Sequence, residues 1–222
     1  MIKILFYLQT RGLDKIIMHI LAAGICRMQF QKKFTKIFFL RSIFFFSHGH
    51  PDHLNPDSIH KFKNNTIILG DHVGKRMFND LKSQGFNVRI LKERVWTDLS
   101  KNVSVMSVST KIQDTILIIK IRNDIFINLN DAGPMNHRFI KKVVKNFKRK
   151  FLLSISGWGD ADMINFYDKE NNFIEPLAAK KHPVGDYLSL IAKLFSANFI
   201  AIERPIPFEP PVIINVLFIR LK

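Results

Sequence analysis

The most constraining stretch of this chain is an apolar strand that runs straight into metal-ligand chemistry. Ile37 to Phe46 is apolar except at Arg41 and Ser42, and Ser47-His48-Gly49-His50-Pro51-Asp52-His53 follows at once. A continuous apolar run of this kind reads as a buried strand. His48 and His50 stand two residues apart, so an extended backbone points both imidazoles the same way. Pro51 cannot join a ladder; it turns the chain and brings Asp52 and His53 round to face the first pair. Three imidazoles and one carboxylate suit zinc, iron or manganese. Structural zinc sites are built around cysteine and are closed, whereas this set has no sulfur, and a catalytic site differs in keeping a position open for water. The alternative is a polar loop whose histidines stand there by chance, and this spacing is far more demanding than a lone histidine.

Composition narrows the setting. One domain is expected for 222 residues, and 47% hydrophobic content supports a substantial core. The single cysteine, Cys26, excludes an intramolecular disulfide framework and a cysteine-rich zinc ribbon. A reducing compartment fits, and a cytoplasmic location is the expectation. The formal net charge of +16 admits nucleic acid, an anionic membrane surface or a phosphorylated substrate as partner. Lysine outweighs arginine in most basic clusters, whereas a phosphate-reading surface favours arginine. Genome composition is therefore the plainer cause, and nucleic acid is not the favoured partner. No apolar run reaches the ~18 residues that span a bilayer. The apolar start, Met1 to Leu8, is short and lacks a small-residue cleavage site, so no cleaved signal is expected.

Along the chain, the apolar pattern of residues 1–36 predicts a helix from Leu13 to about Met28. Asn55 caps a short helix with Pro56 at its first position, running to about Lys63. Thr66 to Leu69 is a strand ending at Gly70. Val73 to Ser83 is a helix with Val73, Met77, Phe78 and Leu81 on one face, closed by Gly85. Asn87 to Leu91 is a further strand, and this alternation is what a sheet with helices on its outer face gives. From Val103 the period changes to two. Strands around Val103 to Val108, Thr115 to Ile121 and Ile125 to Leu129 form a meander. Asn136 to Lys150 is a helix with a basic outer side, read as a solvated face or as a phosphate contact. A strand at Phe151 to Ile155, a helix at Gly185 to Phe195, a strand at Asn198 to Ile202 and a last strand within Val212 to Leu221 complete the reading.

At His48 to His53 the chain resembles the metallo-β-lactamase superfamily, whose signature is His-x-His-x-Asp-His at the end of a core strand. The match is complete and includes the apolar residues before it and Leu54 after it. The resemblance implies an α/β fold of the four-layer αββα sandwich type. One such domain would occupy 1–222, with 1–36 and 204–222 as diverged ends and the sandwich shortened there. It further implies His48 and His50 on one metal, and Asp52 with His53 on a second. The strand ending in Asn130-Asp131-Ala132-Gly133-Pro134 resembles the motif whose carboxylate bridges the metals, which makes Asp131 the fifth ligand; a turn or helix cap is its plain reading. The family expects two more histidines. Val103 to Lys111 holds none, so Asp114 and His182 are the two candidates to complete the site. The Asn-Leu-Asn-Asp wording, an Asp in place of His and the Ser156-Gly157-Trp158-Gly159 loop are similar to the branch containing the metallo-hydrolase-like domain of CMP-N-acetylneuraminate hydroxylase.

The expected function is a metal-dependent hydrolase of a small substrate, phosphorylated or a nucleotide sugar. It uses one or two zinc ions, or iron or manganese, with Asp52 as the catalytic carboxylate. Two rivals stand beside it. One is a degenerate, non-catalytic domain with a sugar-nucleotide or assembly role, motivated by the missing central histidine. The other is a nuclease of the same superfamily, motivated by the basic helix. Trp158, Tyr167 and Lys111 are polar-tipped residues near strand ends, for which packing or a rim position is the plainer role.

Overall fold

The computed structural model describes residues 17–20, 42–50, 53–130, 132–154, 166–174, 184–203 and 216–220. Strands β1 (Ile17–Ile20), β2 (Ser42–Phe46), β3 (Thr66–Leu69) and β4 (Asn87–Ile90) form an all-parallel sheet in that order. Parallel neighbours need crossovers. Helix α1 (Pro56–Ile59) with a 3-10 turn at His60–Phe62 connects β2 to β3, and α2 (Arg76–Ser83) connects β3 to β4. Asn55 caps α1 through its side-chain oxygen, which accepts from the Asp57 amide at 3.0 Å.

The three phenylalanines of β2 are fully buried and alternate between two cores. Phe44 and Phe46 pack with Phe62, Leu81, Phe86 and Val88 under the crossover elements. Phe45 faces the other way, onto Val105, Leu117 and Ile119 of a second sheet. Burying a side chain of this size stabilises by about 1.5–3 kcal/mol, so the end of β2 is held firmly from both sides.

The second sheet has seven strands. Strands β5 (Thr97–Ser100), β6 (Val103–Ser109), β7 (Thr115–Ile121) and β8 (Asp124–Asn128) run as an antiparallel meander. Next to β8 comes β9 (Arg149–Ser154), parallel to it; a small hairpin of β10 (Phe166–Tyr167) and β11 (Phe173–Ile174) stands apart. Strand β12 (Phe199–Glu203) lies parallel to β9, and β13 (Val216–Arg220) closes the far edge antiparallel to β12. The outer face, with Ile116, Ile118, Ile125 and Ile127, packs on Ile140 and Val144 beside α3 (His137–Val143) and on Ile191 and Phe195 of α4 (Val184–Phe195). One core thus joins the two sheets and one core joins each sheet to helices, which is the packing that a helix-sheet-sheet-helix arrangement requires.

Several elements differ from what the pattern predicted. Ile17–Ile20 is a strand paired with β2, not the middle of a helix; pairing at the sheet edge overrides the helical pattern there. Val73 is not on the apolar face of α2 and is 91% exposed. Gly74 and Lys75 take left-handed backbone conformations, with φ of 76° and 51°, so the helix starts only at Arg76. The basic helix ends at Val143 rather than Lys150, and Arg149 and Lys150 lie on β9. There the Arg149 guanidinium donates to both oxygens of Asp124 at 2.6 and 2.7 Å. The continuous basic face predicted for this helix therefore does not exist. Strand β5 and the β10–β11 hairpin were not anticipated.

Candidate metal centre

Parallel strands deliver their carboxyl ends to one edge of a sheet, where α/β proteins place their ligands. Here that edge carries Ser47 to His50 after β2 and Gly70 to His72 after β3. After His50 the chain closes a turn, with the amides of His53 and Leu54 both donating to the His50 carbonyl at 2.9 and 2.8 Å. The turn returns His53 to His48. Their rings lie 4.1 Å apart between centroids, and the His50 ring stands edge-on to His48 at 4.4 Å. Nε2 of His48 and Nδ1 of His50 converge at 2.8 Å. His48 and His53 are buried, whereas His50 is exposed.

The other nitrogens of the buried pair face inward. Ser47, fully buried, places its hydroxyl 2.9 Å from His48 Nδ1 and 3.4 Å from His53 Nδ1. Asp114 Oδ1 stands 3.3 Å from the same His48 nitrogen. A carboxylate only accepts, so the hydrogen of His48 sits on Nδ1 and Nε2 carries the lone pair. Asp114 is 2% exposed; its Oδ1 also accepts from the Thr115 amide at 2.6 Å, and its Oδ2 has no hydrogen-bond partner among the described residues. Gln113, just before it, is held at a left-handed φ of 63°.

A second polar tier braces this one. His72 Nε2 lies 2.9 Å from the Ser47 carbonyl and 3.0 Å from Thr115 Oγ1. The Asn130 side chain donates to the Thr115 carbonyl at 2.9 Å, and its backbone N–H donates to Asn128 Oδ1 at 3.2 Å. Asn130 itself adopts a left-handed φ of 49°, which asparagine tolerates better than most residues. This is how β8 ends, directly before position 131.

The structure therefore brings together His48, His50 and His53, and adds Asp114 on the inner side of His48. Asp52, Asp131 and His182 lie outside the described residues, as does Trp158. Lys111 is exposed on the loop that leads to Asp114, and Tyr167 is exposed on the β10–β11 hairpin. Among the described residues, no group of three or more His, Cys, Asp or Glu is arranged to hold a metal ion. Two of the five expected ligands are not among those residues. Sequence reasoning overlooked Ser47, His72, Thr115, Asn128 and Asn130. The one available signal was that His72, like His48, follows closely on the end of a buried parallel strand.

The architecture and the histidine-bearing strand end define a protein of the metallo-β-lactamase fold. Solved structures of that fold match the chain. A mutant of the CmlA β-hydroxylase matches with a TM-score of 0.50 at 11% identity, over 72% of this chain and 36% of that one. CmlA itself, a diiron β-hydroxylase from Streptomyces venezuelae, gives 0.49 at 10% identity, over 72% and 35%. The metallo-β-lactamase fold protein YhfI from Bacillus subtilis gives 0.39 at 12% identity, over 72% and 73%. This chain spans about a third of the length of the hydroxylase. No protein-family model and no curated protein matches it. No described helix is long and apolar enough to cross a membrane.

Proposed function

We propose that the chain is a metal-dependent hydrolase that binds one or two zinc ions, or iron or manganese in their place, through His48, His50, Asp52, His53 and Asp131. The observation that carries this reading is the convergence of His48 Nε2 and His50 Nδ1 at 2.8 Å. Two imidazole nitrogens each ~2.0–2.1 Å from a tetrahedral cation stand about 3.3 Å apart, so the pair is nearly spaced for one. The donor set of nitrogen and oxygen without sulfur suits the same ions, and the Asp114 carboxylate adds negative charge on the far side of the His48 ring. Two converging imidazole nitrogens and this donor chemistry support the reading, with Asp52 and Asp131 to complete the set.

A bound cation supplies Lewis acidity, bringing the pKa of water toward ~7 and polarising the bond to be cleaved. The chain's own groups do the rest. Ser47 and Asp114 hold His48 by Nδ1 and keep its Nε2 free to donate a lone pair. With that nitrogen as acceptor, His50 Nδ1 is the donor of their mutual hydrogen bond. To act as a ligand, His50 moves that hydrogen to Nε2, which its exposure permits. Asp52 orients the attacking water and takes its proton. Small esters, amides, lactones and phosphodiesters are the substrate classes served. The sugar-nucleotide branch enters a substrate panel on the sequence resemblance, and iron and manganese stay beside zinc because the nitrogen and oxygen donors suit all three.

Metal analysis of protein purified from medium supplied with zinc, iron and manganese tests the reading, alongside a hydrolase screen that includes RNA. The expected content is about one to two equivalents, lost in His50→Ala and Asp131→Ala variants whose circular dichroism is unchanged. A wild-type protein that arrives empty and stays so after reconstitution identifies a degenerate domain instead. Retention of metal by both variants means that the ligands are wrongly assigned.

A further inference from the structure

We infer that His72 is a positioning residue that fastens the histidine-bearing end of β2 to the start of β7 and thereby sets the orientation of His48. The Ser47 carbonyl has no hydrogen to give, so its 2.9 Å contact with His72 Nε2 fixes the hydrogen on that nitrogen. The same N–H faces Thr115 Oγ1 at 3.0 Å. One side chain on the loop after β3 therefore grips the Ser47 backbone and the Thr115 side chain. Ser47 directly precedes His48 and holds its Nδ1. Thr115 directly follows Asp114, which approaches the same nitrogen. His72 contacts neither imidazole through any of these bonds and acts through the two residues beside them.

The grip is built into the backbone as well. Gly70 ends β3 where a Cβ would come within 2.3 Å of Thr115 Oγ1 and 2.9 Å of its Cγ2. Absence of a side chain at position 70 is what lets the Thr115 hydroxyl reach His72. Ser47 and Thr115 are fully buried, so each polar atom there must be partnered within the protein. Replacing the N–H of His72 by an apolar group strands the Ser47 carbonyl. It also frees the peptide that carries His48 to rotate.

This inference rests on the metal reading above only for its second readout. Nitrogen-15 spectra of histidine side chains in the metal-free protein report tautomer and order at His48 directly. Competition with a chromophoric chelator reports zinc affinity. His72→Leu removes the N–H; His72→Gln returns an amide N–H in about the same place. The expected result is that His72→Leu alters or broadens the His48 signals and weakens zinc binding about 10–100-fold, the usual cost of losing an outer partner of a ligand. His72→Gln restores both. Thr115→Val, nearly isosteric, gives a milder change in the same direction and serves if the leucine variant does not fold. His48 signals unchanged in His72→Leu, or in its absence Thr115→Val, overturn the inference. Equal loss in the leucine and glutamine variants also overturns it, because the imidazole itself is then required. Should wild-type protein bind no zinc, iron or manganese while the His48 signals still respond, the metal reading fails and the positioning role stands.

Discussion

A methyl group added at Gly70 tests whether β3 and β7 are fitted to one another at this edge. Its carbon would lie 2.3 Å from Thr115 Oγ1, 2.9 Å from Cγ2 and 3.1 Å from Cβ. Non-bonded carbon atoms are at ease at ~3.5–4.0 Å, and rotating Thr115 only exchanges one clash for another. Overpacking of this kind costs about 1–3 kcal/mol. For a domain of this size that is a fall in thermal midpoint of roughly 3–10 °C. Thr115→Ala alone loses one hydrogen bond, about 1 kcal/mol, and one buried methyl, about 0.8 kcal/mol. If the two positions are in contact, the double variant Gly70→Ala/Thr115→Ala costs little more than Thr115→Ala by itself, because the two closest atoms, Oγ1 and Cγ2, are gone and only the 3.1 Å approach to Cβ stays. The cycle then shows a coupling of about 1–3 kcal/mol in urea unfolding, far above the ~0.5 kcal/mol expected of independent sites. Additive losses in that cycle would refute the packing described for this edge and weaken the role given to His72.

Two smaller perturbations probe the neighbouring loop. Asp114→Asn keeps an acceptor for the Thr115 amide and puts a neutral amide nitrogen where a carboxylate oxygen has no partner among the described residues, which relieves the cost of a buried charge. The metal-free protein should gain about 1 kcal/mol, read as a higher urea midpoint at unchanged slope, while zinc affinity falls about 10–100-fold; a less stable metal-free protein contradicts this. Gln113→Gly relieves a left-handed conformation worth about 1–2 kcal/mol, against an entropic cost of up to ~1 kcal/mol. A net gain of roughly 0.5–1 kcal/mol in thermal or urea unfolding is expected, and a loss shows that the Gln113 side chain has a partner of its own.

What could be read from the sequence was what depends on near neighbours. The apolar run before His48, the alternation through Val103 to Leu129 and the Asn55-Pro56 cap each encode their structure locally; the last two are found nearly where expected, and of the run the strand Ser42–Phe46 is found while 37–41 lie outside the described residues. What could not be read depends on partners distant in sequence. Ile17–Ile20 has a helical pattern but becomes a strand because β2 offers it an edge. Val73 belongs to the apolar stripe of α2 by spacing alone, and the left-handed residues at 74 and 75 take it out. The same limit applies at the candidate centre. His48 and His50 declare themselves by being two apart, whereas Asp114 and His72 acquire meaning only when β7 and β3 bring them to β2. A candidate ligand at Asp114 could be named from the sequence; that it faces His48 Nδ1 could not.

The burden of buried polarity at this edge argues that it is more than a capped core. Ser47, Asp114, Thr115, Asn128 and Asn130 are each at most 2% exposed, and they meet within one network. Fully satisfied, such a network gains little over well-packed apolar residues of the same volume; with one oxygen of Asp114 left over, it is worse than they would be. Stability alone would favour filling this space with the isoleucine and phenylalanine in which the chain is rich. Among the described residues two buried oxygens lack a partner, Ser109 Oγ and Asp114 Oδ2, and the second belongs to the carboxylate that stands against the imidazole whose other nitrogen converges on His50. A cation at that pair is what would turn the surplus charge from a cost into an attraction. The His48–His50 contact is satisfied as a hydrogen bond without any cation, so it is the leftover oxygen of Asp114 that packing does not explain and that the proposed cation would.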